Sequence, residues 1–555
     1  MAKEKFVELL EELAQAMEIV GENDFKIRAY RKGAQAIGDS DESLSDIASG
    51  KVKIAGVGEG LRKTIQEFLD TGEVAQKKEL TEKIPEGVFD LMQVSGLGPK
   101  KAMIVHKELG VSTLGELEYA CRENRLTTLK GFGPAIQKKV LNSLEDLKAR
   151  KGKLRLDEAL EFSDALATKI LKKLPKSKKP PSEVLKLGAL ARHLEIVDLF
   201  EIGIVTEPAH FEKLVENLEW SSAPQIQTHL VLGTDFVSCS GTLAEGYAVV
   251  LWGLAEKPEG ALLKWLCAEQ SVRPLFEKDP KRVEGWQISW LEPVWIESKR
   301  KPHSDAYRLE KHGRVKGFFH CHTNYSDGNA TLEEMVHAAE KGGYEYIGIS
   351  DHSKSAFYAR GLQTERILEQ RKRIKELQKK VSIKIFHGIE SDILADGALD
   401  YDEEVLNGFD FIVGSIHSRF QMDQTAMTER LVRALENPHI TIWGHPTGRL
   451  LLGRKPYLLD WDRCLTAAAI NGVAVEINCN PHRLDIDWRM GAELEKFKSK
   501  VCINPDAHAV EGVEDTIYGE YMAEKAMVPC GSILNLMGAD EMEKYLWQRK
   551  KRASR

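Results

Sequence analysis

The chain is predicted to be multidomain, with a helical N-terminal region, an α+β middle and a C-terminal distorted (β/α)7 barrel. Three observations point that way. Apolar residues recur at helical spacing between glycine turns over residues 1–150. Strand-like runs mix with a helical segment over 182–297. From 314 onward, seven strand-like runs alternate with helical stretches, the pattern of parallel βα units closing into a barrel. A length of 555 residues accommodates about three or four domains at ~150 residues each.

Composition excludes several classes. Hydrophobic content of 42% and charged content of 29% are those of a globular protein. A net charge of -7 excludes a polycation, so nucleic-acid contacts must come from local basic patches. The eight cysteines form no CxxC pair, which fits a reducing cytosol and a cytoplasmic protein rather than a disulfide framework. The opening MAKEKFVELLEELAQAMEIV carries acids throughout and lacks a signal peptide's apolar core, and no 18-residue apolar stretch exists to enter a membrane.

The first helix places Phe6, Leu9, Leu10, Leu13, Met17 and Val20 on one face. Three glycine hairpins follow, at Gly56-Val57-Gly58, Gly96-Leu97-Gly98-Pro99 and Gly131-Phe132-Gly133-Pro134. In a helix-hairpin-helix unit such glycines let the backbone approach a DNA phosphate, which the N–H groups opening the second helix then bind without reading sequence. Lys100 and Lys101 stand beside those amides in the second hairpin, whereas Glu59 weakens the first.

Residues 169–181, KILKKLPKSKKPP, form a basic, proline-ended break. In the middle region, 193–205 and 246–254 read as strands and 259–270 as a helix. Polar residues 298–313 read as a linker to the barrel region 314–555. The expected domains are therefore 1–150, 151–297 and 314–555.

The barrel runs are VKGFFHCH, YEYIGISDH, IKIFHGIE, FDFIVGSIH, ITIWGHP, GVAVEIN and VCINPDAH. Nine potential metal ligands gather where these runs open into loops: His320, His322, Asp327, His352, Glu390, His417, His445, Asp506 and His508. A parallel barrel builds its active site at those strand ends. The pairs 320/322 and 506/508 alternate, so each pair projects to one side. A mixed N/O set suits zinc, manganese or iron better than calcium or magnesium. Such a centre activates water, so no protein nucleophile is required. Lys354, Arg360, Arg419, Arg449 and Arg454 lie in the same loops and are candidate phosphate clamps.

The stretch Asp24-Phe25-Lys26-Ile27-Arg28-Ala29-Tyr30-Arg31-Lys32-Gly33-Ala34 resembles the opening helices of family X DNA polymerases, and the hairpins follow in that family's order. With the barrel added, the whole chain is similar to the bacterial branch that carries a C-terminal polymerase-and-histidinol-phosphatase (PHP) domain. The resemblance implies lyase-like and fingers-like parts in 1–150, a nucleotidyltransferase palm/thumb-like middle and a metal-dependent phosphoesterase barrel. It implies three divalent ions: one on His320, His322 and Asp506, a second on His417 and His445, a third on Asp327, His352 and His508, with Glu390 bridging the first two.

The polymerase motif departs from the family. Gly188-Ala189 stands where Gly-Ser is expected, and the metal-binding aspartates fall on Leu199 and Glu201. The later strand, Ala248-Val249-Val250-Leu251, has no acid, although two-metal phosphoryl transfer needs several carboxylates together. The lyase nucleophile position falls on Thr64, with Lys63 about 100° around the helix. The expected function is a DNA-repair 3′–5′ exonuclease or end-processing enzyme acting on gapped, nicked or 3′-ended duplex, its polymerase weak or lost. The alternatives are an active gap-filling polymerase with an editing nuclease, and a small-molecule phosphatase of the histidinol-phosphate type.

Overall fold

The computed structural model describes residues 2–38, 40, 42–81, 83–85, 87–174, 182–279, 281, 286–297 and 305–553. Residues 175–181 of the expected basic break and 298–304 of the expected linker lie outside the described residues. The chain forms two compact units, 1–144 and 145–555.

The first unit is helical throughout. Phe6, Leu10, Leu13 and Met17 of the helix Ala2–Val20 are fully buried, so the predicted stripe is its core face. The three glycine hairpins share one geometry. Gly56, Gly96 and Gly131 have φ of 94°, 100° and 88°, a left-handed backbone that glycine adopts without Cβ strain. The next amide in each, from Val57, Leu97 and Phe132, donates three residues back to Ile54, Val94 and Leu129. Gly58 and Gly98 then cap the helices Glu59–Thr71 and Pro99–Leu109. Their first-turn amides are therefore presented rather than covered by a side-chain cap.

Among the described residues the second unit holds three sheets. Strand β1 (Leu154–Arg155) pairs antiparallel with β3 (Ile196–Val197). The middle sheet has the order β2–β4–β7–β6–β5, built from β2 (Glu183–Lys186), β4 (Leu199–Val205), β5 (Gln225–Val231), β6 (Thr234–Thr242) and β7 (Ala248–Leu254). Phe200, Ile202 and Ile204 of β4 face a core closed by the helices Leu156–Lys173 and Pro208–Asn217. The opposite face packs Leu187, Trp252 and Leu254 against Trp265 and Phe276. The hairpin β5–β6 was not among the expected strands. It turns through Leu232 and Gly233, with φ of 51° and 77°.

The seven expected barrel strands are β8 (Gly317–Phe318), β9 (Tyr346–Ile349), β10 (Lys384–Asp392), β11 (Phe411–Ser415), β12 (Ile442–Trp443), β13 (Ala474–Asn478) and β14 (Val501–Asn504). All pair in parallel and in sequence order. Cys321 bridges Ala507 beyond the ends of β8 and β14, which brings the first and last strands round to each other.

The described part of the expected linker is not a free tether. Leu309 lies in the barrel core, and the Tyr307 hydroxyl donates to Glu495 at 2.9 Å. The middle region is also fastened to the barrel by polar contacts. Buried Arg192 and Lys525 both donate to Glu292, the Trp488 indole donates to Glu195, and His193 stacks on Tyr521.

Candidate metal centre

Each barrel strand delivers its side chains to one rim because parallel strands all end there. The nine expected ligands converge on that rim. His320, His322, Asp327, His352, Glu390, His445, Asp506 and His508 are buried, and His417 is nearly so.

Glu390 is central. Its Oε1 lies 3.2 Å from His320 Nε2, 3.2 Å from His417 Nε2 and 3.0 Å from His445 Nε2. Its Oε2 lies 2.8 Å from His352 Nδ1 and 3.6 Å from His322 Nε2. Asp506 Oδ1 lies 3.4 Å from His320 Nε2 and 3.2 Å from His322 Nε2. Asp327 reaches His352 Nε2 at 3.5 Å and His508 Nε2 at 3.4 Å through its two oxygens.

These separations fit shared cations. Two donors each ~2.1 Å from one ion at tetrahedral or octahedral angles stand roughly 3.0–3.4 Å apart. Moreover, His320 Nε2, His322 Nε2, His352 Nε2 and Glu390 Oε2 are buried without a hydrogen bond, a costly state that a bound cation relieves. Four overlapping sets can each hold an ion: His322/Asp327/His352/His508, His320/His445/Asp506, His320/His322/Glu390 and His352/Glu390/His417. Divalent ions held there supply Lewis acidity toward a water and toward phosphate oxygens.

The electrostatics agree. Burial disfavours charge on Asp327, Glu390 and Asp506, yet the surrounding imidazoles hold all three well below the usual carboxylate range. Burial likewise opposes charge on His320 and His352, but their carboxylate neighbours win, raising His352 to about 10. His322 is pushed down to about 3 by burial and by His508 and His352, and His445 to about 3 by burial and Arg483. The three buried carboxylates thus stay ionised only because positive charge lies against them. His445 and Asp506 also hold positive φ, 24° and 52°, a strained backbone at ligand positions.

Sequence reasoning missed the groups that orient these side chains. Glu476 accepts from His445 N, Asn478 and Asn504, and its Oε1 lies 2.8 Å from His320 Nδ1. Asp392 Oδ1 holds His417 Nδ1 at 2.6 Å. Asp351 accepts from the backbone and hydroxyls of Thr323 and Ser326, pinning the loop that carries Asp327. The available signal was position: Glu476 interrupts an apolar strand, Asp351 precedes His352, and Asp392 shares a face of β10 with Glu390.

The expected phosphate clamps divide. Lys354, Arg360 and Arg419 are exposed beside ligand loops. Arg449 needs correction: it is buried, with its guanidinium committed to Asp487 at 2.5 Å, Arg483 O at 3.0 Å and Leu484 O, so it braces a loop. Arg454 bonds Gly448 O and stacks over Phe420 at 3.8 Å.

The expected degenerate polymerase residues lie at the middle sheet, Leu199 and Glu201 on β4 and Gly188 and Ala189 in the short helix Gly188–Ala191. Glu201 is buried and paired with Arg273 at 2.6 Å, and the guanidinium packs over Trp265 and Trp252. A Cβ at Gly188 (φ 54°) would meet Glu201 Oε2 at 1.8 Å, so Glu201 fills the space beside that turn. Leu199 starts β4, Ala189 follows Gly188, and exposed Asp198 stands 4.0 Å from Lys153. In the helical unit Lys63 is exposed and near Glu59, while Thr64 donates back to Gly60 O.

Fold and site together define a metal-dependent phosphoesterase of the parallel-barrel type. Residues 319–479 match the PHP domain, 1–74 the Helix-hairpin-helix domain and 88–146 the SAM-like Helix-hairpin-helix tandem. The chain is 30% identical to the "DNA polymerase/3'-5' exonuclease PolX" of Bacillus subtilis (strain 168), over 98% of this chain and 99% of that protein. It is 32% identical to a "Probable phosphatase" of Caldicellulosiruptor saccharolyticus, over 29% of this chain and 64% of that protein. A probable phosphatase of Caldanaerobacter subterraneus subsp. tengcongensis is 26% identical, over 42% of this chain and 91% of its own length. The chain belongs to the bacterial family X DNA polymerases that carry a C-terminal PHP domain.

Proposed function

We propose that the barrel hydrolyses DNA phosphodiesters from the 3′ end, as a repair exonuclease or 3′-end-processing enzyme. The observation that carries this reading is the convergence of all nine barrel ligands at 2.8–3.6 Å spacing around Glu390, Asp327 and Asp506. The ligands divide among three divalent ions, zinc, manganese or iron. One would be held by His320, His322 and Asp506, a second by His417 and His445, and a third by Asp327, His352 and His508, with Glu390 shared by the first two. Lys354, Arg360 and Arg419 orient the scissile phosphate. The hairpin amides at 56–58, 96–98 and 131–133, with Lys100 and Lys101, hold the backbone of gapped, nicked or 3′-ended duplex. In this division of labour 1–150 binds DNA, 151–297 is a structural remnant and 314–555 is the hydrolase. The eight unpaired cysteines support a cytoplasmic setting.

The relative named a DNA polymerase favours a second reading, gap filling with an editing nuclease. The Glu201–Arg273 pair and the absence of an acid on β7 argue against it. Barrel relatives named phosphatases favour small phosphomonoesters, but that reading leaves the three hairpins without a purpose.

One labelled gapped duplex tests all three. With Mn²⁺, with and without dNTPs, the expected product is a shortened strand, never a lengthened one, and His352→Ala abolishes it. The reading fails if the metal-loaded protein leaves DNA of every end type intact.

A further inference from the structure

We infer that the barrel end opposite the metal centre carries a groove for a single strand of nucleic acid. β10 spans the distance. Lys384 at its start and Glu390 near its end are six residues apart, ~20 Å at ~3.3 Å per residue. Around Lys384 the surface opens into a cleft of about 950 Å³.

Its cations are Arg371, Lys375, Lys379, Lys384, Lys550 and Lys551, against only two acids, Asp410 and Glu543. The cleft is therefore +4 (six minus two) in a chain whose net charge is -7. The two acids are already engaged: Glu543 pairs with Lys384, and Asp410 accepts the His387 amide. Among the described residues Arg371, Lys375, Lys379 and Lys551 have no ion-pair partner, so their charge is directed at whatever enters. Buried His387 at the floor registers that field, being pushed down to about 3 by burial and then by Arg371, Lys375 and Lys550.

Spacing suits a backbone of phosphates. Arg371 and Lys375 stand four apart on one face of the helix Thr364–Leu377, and Lys379 follows just past its end, giving cations at ~6 Å steps. The facing wall, from the helix Ala539–Ala553, adds Trp547, which is 57% exposed, with Lys551 Nζ 3.6 Å from its ring centre. An exposed indole among cations is the platform on which unpaired bases stack. A duplex hides its bases and has no use for it.

The test uses the full chain in chelator, so it does not depend on hydrolysis. Anisotropy of a labelled oligothymidylate of about 20 nucleotides is followed against salt. Lys375→Glu with Lys379→Glu and Lys551→Glu should weaken binding at least about tenfold and flatten the log–log salt slope by about 2. Trp547→Ala should weaken binding about fivefold or more, as expected for a lost stacking partner. Hydrolysis of a small chromogenic diester should be unchanged in every variant. The N-terminal hairpins are common to all the proteins, so the difference reports the cleft. If the triple variant melts early, Lys551→Ala and Trp547→Ala, both on the terminal helix, carry the test. Unchanged affinity and slope overturn the assignment. So does charge-sensitive binding to phosphatidylserine vesicles with none to the oligonucleotide.

Discussion

Glu476 Oε1 lies 2.8 Å from His320 Nδ1, and the same carboxylate accepts the backbone amide of His445. One buried acid on β13 therefore sets the ring orientation of one expected ligand and the backbone of another. Glu476→Gln should lower metal content or phosphodiester hydrolysis by about 10- to 100-fold while leaving the fold intact. Elemental analysis beside a kinetic assay checks it, and unchanged values for both would show that Glu476 is only a packing group.

Metal removal should cost stability. Asp327, Glu390 and Asp506 are buried within one cluster, and cations bound only by the folded state stabilise it by about 2.7 kcal/mol per site at 100-fold over the dissociation constant. Chelator treatment should lower the melting temperature by several degrees, and Mn²⁺ or Zn²⁺ should restore it. A melting curve indifferent to chelator would contradict a metal-filled centre.

Glu201 and Arg273 should behave as a structural pair. Arg273→Ala leaves a buried carboxylate unpaired, a loss of about 3–5 kcal/mol by urea unfolding. Primer extension should be undetectable in the parent protein. Extension in the parent that vanishes in Glu201→Ala would instead identify Glu201 as a metal ligand.

Lys525 gives a pH signature. Burial outweighs Glu292 and lowers its ammonium from 10.5 to about 8. Between those values the unfolded chain binds the extra proton, so this group's contribution to stability rises with pH from about 8 to 10.5. Lys525→Met should remove that rise, measured as the difference between parent and variant in urea unfolding at several pH values. Parallel curves for the two proteins would contradict the shift.

The barrel was legible because its apolar runs return as β8 to β14, and the expected ligands gather beyond the strand ends, from His320 after β8 to Asp506 after β14, with Asp327 in the loop before the helix Leu332–Lys341. The β5–β6 hairpin was not, for a physical reason: Ile226 and Leu230 of β5 are 58% and 70% exposed, so alternation there marks no buried face. Arg449 was misread because its partners, Arg483, Leu484 and Asp487, arrive from a loop more than thirty residues away. Residue type suggested a phosphate clamp, and tertiary contacts made it a brace. The departures at Ala189, Leu199 and Glu201 were visible in sequence, but Arg273, the partner of Glu201, lies 72 residues beyond it and could not be paired with it from spacing.

Leu156, Trp290 and Trp295, which precede the barrel in sequence, belong to the same apolar core as Trp488 and Met527 within it. The hydrolase is therefore not a removable cassette. Cutting the chain near residue 314 would strip Leu156, Trp290, Trp295 and Leu309 from the barrel's wall and leave Trp488, which faces Trp295, bare. The barrel and the stretch from residue 145 that leads into it stand or fall as one folding unit.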